Sequence, residues 1–103
     1  MIYTIQEIKE KSVPIAQEYN LLKLWLFGSY AKGEACKDSD IDLLYSGELT
    51  GLLQYSSLVR RLEEIFGCHV DLVSTNINNK KFLNRIKKYG VLLYEKEDNN
   101  LLK

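Results

Sequence analysis

Leu26-Phe27-Gly28-Ser29-Tyr30-Ala31-Lys32-Gly33-Glu34 runs, after Ala35-Cys36-Lys37, into Asp38-Ser39-Asp40-Ile41-Asp42-Leu43-Leu44. The bulky apolar run Leu22 to Phe27 reads as a buried strand that ends at Gly28, and Ile41 to Tyr45 reads as a second strand. Strand side chains two apart share a face, about 6.6 Å from one another. Asp40 and Asp42 therefore point one way, and Ile41 and Leu43 point the other, toward a core. Two such carboxylates with no Lys or Arg between them repel unless a cation or solvent screens them. Hard oxygen donors select Mg²⁺ or Mn²⁺ over zinc. A third strand, His69 to Val73, carries Asp71 between Val70 and Leu72. Paired beside the second strand, it completes a three-acid cluster able to hold two divalent ions about 3.5–4 Å apart.

At the other end of the stretch, Gly28 lets a backbone approach a ligand with no Cβ in the way. The residues after it open a short helix, whose free N–H groups form an anion site. The Ser29 hydroxyl adds a donor for a phosphate oxygen. Alone, a Gly-Ser is usually a turn and an Asp-x-Asp a solvated loop. An EF-hand is excluded because Leu43 and Leu49 occupy the positions that need Gly and Glu. A P-loop is excluded because no Gly-Lys-Ser/Thr follows Gly28. The conjunction of a strand-ending Gly-Ser, a strand Asp-x-Asp and a further strand Asp describes a metal-nucleotide site.

Outward from this stretch, Thr4 and Glu7 form a capping box that starts a helix with Ile5, Ile8, Ile15 and Tyr19 near one face. Pro14 is expected to kink or restart it. Residues 51–66 place Leu52, Tyr55, Val59, Leu62 and Phe66 on one stripe, with Gly67 as the C-terminal cap. Asn79 to Tyr89 reads as a helix with Phe82, Ile86 and Tyr89 inward, stopped by Gly90. Val91 to Tyr94 is a short edge strand, and the tail from Glu95 is expected to fray. The fold class is α+β: a small mixed sheet of three to four strands with helices packed on one face.

The 103 residues are 46% hydrophobic with 14 Lys+Arg against 14 Asp+Glu, which fits a single domain over 1–103 and excludes disorder. Zero net charge argues against binding nucleic acid by bulk electrostatics. No apolar run approaches the roughly 20 residues that span a bilayer. The amino terminus lacks a signal-peptide core, so a cytoplasmic location is expected. Cys36 and Cys68 read as free thiols, and His69 as a hydrogen-bonded histidine rather than a proton acceptor. Five basic residues, Lys80, Lys81, Arg85, Lys87 and Lys88, read first as a solvated helix face and second as a contact for a triphosphate or an acidic partner. Tyr30 beside the cradle is a self-modification candidate, with packing the plainer account.

Gly28-Ser29, ten residues, then Asp40-Ile41-Asp42 resembles the motif of the nucleotidyltransferase superfamily of DNA polymerase β, and within it the minimal nucleotidyltransferases. The stretch Leu26 to Glu34 looks like the Gly-Ser-Tyr-Ala-Arg-Gly-Glu form of antitoxins from two-gene toxin–antitoxin pairs. Lys32 departs from that pattern where Arg is usual, keeping the charge and losing the bidentate fork. The resemblance implies a polymerase β palm-like fold and transfer of AMP from ATP, or of another nucleotide from its triphosphate. The acceptor would be a protein hydroxyl, a tyrosine of a helical HEPN-family toxin. It implies catalytic and metal-binding roles for Asp40, Asp42 and Asp71 with two Mg²⁺ (or Mn²⁺), and nucleotide binding by Gly28, Ser29 and Lys32. A chain of this size has little surface for an acceptor pocket, which points to an acceptor brought by another protein, in a homo- or hetero-oligomer. Two alternatives stand beside this one: nucleotidylation of a small molecule of the aminoglycoside kind, and neutralisation of a toxin by binding alone. A templated polymerase is the weakest reading, since nothing in the chain would hold a nucleic-acid template.

Overall fold

Alternation along three of the strands sorts the apolar side chains onto two faces of one sheet. The computed structural model describes residues 2–97. The elements in order are α1 (Ile5–Glu18), β1 (Lys23–Phe27), α2 (Gly28–Lys32), β2 (Ile41–Ser46), α3 (Gly51–Phe66), β3 (Val70–Ser74), α4 (Lys80–Tyr89) and β4 (Val91–Glu95). The sheet order is β3-β2-β1-β4. The β1 strand pairs antiparallel with both β2 and β4, whereas β2 and β3 run parallel. The mixed α+β architecture is the one the sequence implies, with β4 at an edge.

Leu24 and Leu26 of β1, Ile41, Leu43 and Tyr45 of β2, and Val70 and Leu72 of β3 share one face and pack against Ile8, Ile15 and Ala16 of α1 and Leu58, Leu62 and Phe66 of α3. Trp25 and Leu44 point the other way and meet Ile86, with Phe82 and Leu83, of α4. Helices on one face therefore describe α1 and α3, while α4 covers part of the opposite face. The reason is that β1 is apolar on both sides, so a second layer is needed to bury Trp25. Because α4 covers only part of that face, the Asp42 and Asp71 end stays open.

The capping box forms as expected: Glu7 N–H donates to Thr4 Oγ1 at 3.0 Å, and Thr4 N–H to Glu7 Oε1 at 2.8 Å. Helix α1 runs through Pro14 without restarting. Its buried residues Ile8, Ser12, Ile15 and Ala16 lie on both sides of the proline, so packing outweighs the roughly 3 kcal/mol cost of the lost hydrogen bond. Ile5 (37% exposed), Leu52 (76%) and Tyr89 (68%) were expected inward and lie outside. Each sits at or near a helix end, where the sheet no longer reaches beneath it. Leu58 takes the inward place on α3, and Gly67 caps that helix in the left-handed region as the sequence implies. Glu95 is paired in β4, and Lys96 N–H donates to Leu22 O at 2.8 Å, so the chain is ordered past the expected fraying point. Residues 98–103 of that tail lie outside the described residues. No helix among the described residues is long and apolar enough to cross a membrane.

Candidate active site

Parallel pairing of β2 with β3 sets Asp42 directly opposite Asp71. Ile41 and Leu43 beside Asp42, and Val70 and Leu72 beside Asp71, are buried on the far face, so hydrophobic burial fixes this register. A slip of one residue in either strand would turn that strand's acid into the core. Asp40 sits one residue before β2 rather than within it. One carboxylate oxygen each from Asp40 and Asp71 and a ring nitrogen of His69 lie within 4.8 Å of one another. The structure thus brings all three acids to one end of the sheet.

Asp42 is half-buried and hydrogen-bonded to Asp71. Burial, that hydrogen bond, and the charges of Asp71 and Asp40 push its carboxyl up to about 6. Among the described residues no Lys or Arg is paired with these acids, and the donors are hard oxygens joined by one imidazole. That set fits a divalent cation of the Mg²⁺ or Mn²⁺ kind.

The β1 strand delivers the opposite wall. Phe27 pairs with Asp42, and the chain turns at Gly28 straight into α2. Gly28 has φ +74°, and a Cβ there would overlap Asp42 Oδ2. Only glycine allows both the turn and the approach to the carboxylate. Helix α2 starts at this turn, so its first N–H groups have no intrahelical partner, and Glu34 N–H closes it by donating to Ser29 O at 2.9 Å. Tyr30 points away into the core, which leaves packing as the account of that residue. Lys32 is exposed and, with Arg85, Phe82 and Tyr89, lines a groove of about 200 Å³ that begins at Gly28.

Arg85 is the member of the basic run that reaches this groove. Lys87 lies over the Trp25 ring at 5.6 Å and Lys88 over the Tyr89 ring at 5.4 Å. On the other side of the acids, an open cleft of about 650 Å³ is lined by Asp42, Asp71 and His69 and walled by Tyr55, Arg60 and Phe82. His69 is bridged: Nε2 lies 2.9 Å from Asp71 Oδ1 and Nδ1 lies 3.2 Å from Glu63 Oε2. The bond to Asp71, and the charges of Asp71, Asp40 and Glu63, raise its pKa above the ordinary histidine value. Cys36 and Cys68 are free thiols.

Sequence reasoning passed over Glu63, took Tyr55 as part of a packing stripe, and named Arg85 only as one of five basic residues that could meet a triphosphate or an acidic partner. A signal for Glu63 did exist. Gly67 ends α3 one turn after it, which returns the chain beside that carboxylate at the start of β3.

Comparison with known proteins accords with this geometry. Residues 10–99 match the family described as "Polymerase beta, Nucleotidyltransferase". A protein of Methanocaldococcus jannaschii named "Putative protein adenylyltransferase" is 39% identical over 88 residues, covering 84% of this chain and 95% of its own. A solved structure described as a toxin-antitoxin with AMP-PNP superposes with a TM-score of 0.74 at 22% identity, over 91% of this chain and 78% of that one. Another, described as a tri-AMPylated Shewanella oneidensis HEPN toxin in complex with MNT antitoxin, gives 0.68 at 20% identity over 94% and 77%. At those identities the two structures establish a shared fold. With nine-tenths of its length inside the family match and the Gly-Ser turn seated against the paired acids, the chain belongs to the nucleotidyltransferases of the polymerase β family.

Proposed function

We propose that this chain is a protein adenylyltransferase, a single domain that moves AMP from ATP to a hydroxyl of a helical partner, a tyrosine of a HEPN-type toxin, and so acts as its antitoxin in the cytoplasm. The observation that carries the reading is the convergence of Asp40, Asp42 and Asp71 against the Gly28 turn. Similarity to a relative named as a protein adenylyltransferase and to the two toxin–antitoxin structures supports protein, rather than small-molecule, adenylylation.

In this reading Asp40, Asp42 and Asp71 would together hold the divalent cations, two Mg²⁺ ions. Cations held there would supply charge neutralisation for the triphosphate and for the entering and leaving oxygens. Gly28 and Ser29 grip the β- and γ-phosphates through backbone N–H groups and the Ser29 hydroxyl. Lys32 and Arg85, which both line the groove that begins at Gly28, supply cations to the leaving pyrophosphate. Asp71 faces the larger cleft and is placed to receive the acceptor's proton. That cleft lies open, which suits a side chain presented by another protein better than an enclosed small molecule. Catalysis is then positioning and charge compensation, with no covalent intermediate.

The test is transfer of α-labelled AMP from ATP to a co-expressed helical partner. Labelling by the wild type, and its loss in Asp42→Ala, is the expected result. Equal labelling by both overturns the site. Neutralisation of the toxin by an unlabelled Asp40→Asn, Asp42→Asn double variant would show that binding alone suffices.

A further inference from the structure

Asp71 sits on β3, the outer strand of the sheet, with its side chain 53% exposed. A carboxylate at such an edge rotates freely unless something outside the sheet holds it. A hydrogen bond and a close ion-pair contact in series do so here. His69 Nε2 meets Asp71 Oδ1 at 2.9 Å, and His69 Nδ1 meets Glu63 Oε2 at 3.2 Å. Glu63 is fixed in turn, because the same Oε2 accepts from Val70 N–H at 3.1 Å. Its helix is anchored in the core by Leu58, Leu62 and Phe66. On the other side of Asp71, Tyr55 OH donates to Leu72 O at 2.6 Å. Helix α3 therefore grips the outward backbone groups of β3 on both sides of Asp71, and reaches its carboxylate through the imidazole.

We propose that Glu63 is a positioning residue that acts through His69 to fix the orientation of the Asp71 carboxylate toward Asp40 and Asp42. Restraint passes from the buried face of α3 to Glu63, to the imidazole, and to one oxygen of Asp71. Outer hydrogen-bond partners of this kind set ligand geometry in metal sites generally, and their loss costs about 10- to 100-fold in metal affinity or activity. The inference rests on the proposed metal-binding role of Asp71, and its test is separable from AMP transfer.

Mn²⁺ alone is titrated into the full chain, read by electron paramagnetic resonance, for wild type, Glu63→Ala, Glu63→Gln, His69→Ala and the double alanine variant. Glu63→Ala and His69→Ala should each weaken Mn²⁺ binding by about 10- to 100-fold. Glu63→Gln should stay near wild type, since its amide oxygen still accepts from Val70 N–H and still meets the imidazole. The double variant should be no weaker than the worse single, because the two groups act in series. In the transfer assay kcat should fall with the same ranking while KM for ATP holds. Wild-type Mn²⁺ affinity in Glu63→Ala overturns the relay, as do a Gln variant as weak as Ala and additive losses in the double variant. A wild type that binds Mn²⁺ but moves no AMP refutes the adenylyltransferase reading, while the Mn²⁺ comparison still decides the relay. A wild type that binds no Mn²⁺ overturns both.

Discussion

Replacing Asp42 with Asn should destroy transfer and yet stabilise the metal-free protein. The Asp42 carboxyl is raised from 3.8 to about 6 by burial, by its hydrogen bond with Asp71, and by the charges of Asp71 and Asp40. Two pH units correspond to about 3 kcal/mol, and solvent reaching this half-open site reduces that to about 1–2 kcal/mol. Below pH 3.8 the group is protonated in both folded and unfolded chains, so it costs nothing. Between 3.8 and about 6 the native state keeps a proton that the unfolded chain has released, so stability falls as pH rises. Above about 6 the whole penalty is present. Asn is nearly isosteric, respects the contact with Gly28, and donates an amide N–H to Asp71 without charge. For a domain of this size, each kcal/mol shifts Tm by roughly 4–8 °C. In EDTA at pH 7.5, Asp42→Asn should therefore melt about 4–15 °C above wild type, with the gap narrowing toward pH 5. Adding Mg²⁺ should raise the wild-type Tm and leave the variant nearly unchanged. Thermal melts followed by circular dichroism suffice. A variant that melts at or below wild type in EDTA at pH 7.5, or a gap independent of pH, would refute the claim that Asp42 is held charged at a cost.

Three further outcomes follow from contacts elsewhere. Gly28→Ala should lose about 1–3 kcal/mol in denaturant titrations, because φ is +74° and the new Cβ overlaps Asp42, and should bind Mn²⁺ more weakly; wild-type binding would show that the close approach is unimportant. Arg85→Ala should raise KM for ATP by about tenfold, the size of one charge-assisted contact, while Lys81→Ala, outside the groove, leaves it unchanged; equal effects would mean that only the diffuse charge of α4 matters. Tyr55→Phe removes the 2.6 Å hydrogen bond to Leu72 O and should cost about 1 kcal/mol in chemical unfolding; an unchanged midpoint would show that water replaces the hydroxyl at the β3 edge.

Several features were legible from neighbouring residues alone. The Thr4–Glu7 capping box, the Gly67 cap and the alternation Ile41-Asp42-Leu43 are short-range signals, and each appears where the sequence placed it. The Gly28-Ser29 to Asp40-Asp42 spacing carries the resemblance to the family that residues 10–99 match. Failures occurred where burial depends on what lies beneath a helix. Leu52 and Tyr89 satisfy the helical period and still face solvent, and Pro14 was outweighed by packing on both its sides.

The chain by itself determined which residues are candidates for the chemistry, because residue identity and spacing are local properties and survive without a partner strand. Only the tertiary structure decided that Asp71 lies opposite Asp42, that α4 closes the second face with Arg85 at the groove, and that Glu63 reaches His69. Those facts are long-range pairings. They are selected when burying Ile41, Leu43, Val70 and Leu72 on one face, and Trp25 and Leu44 on the other, leaves a single register that keeps the acids in water.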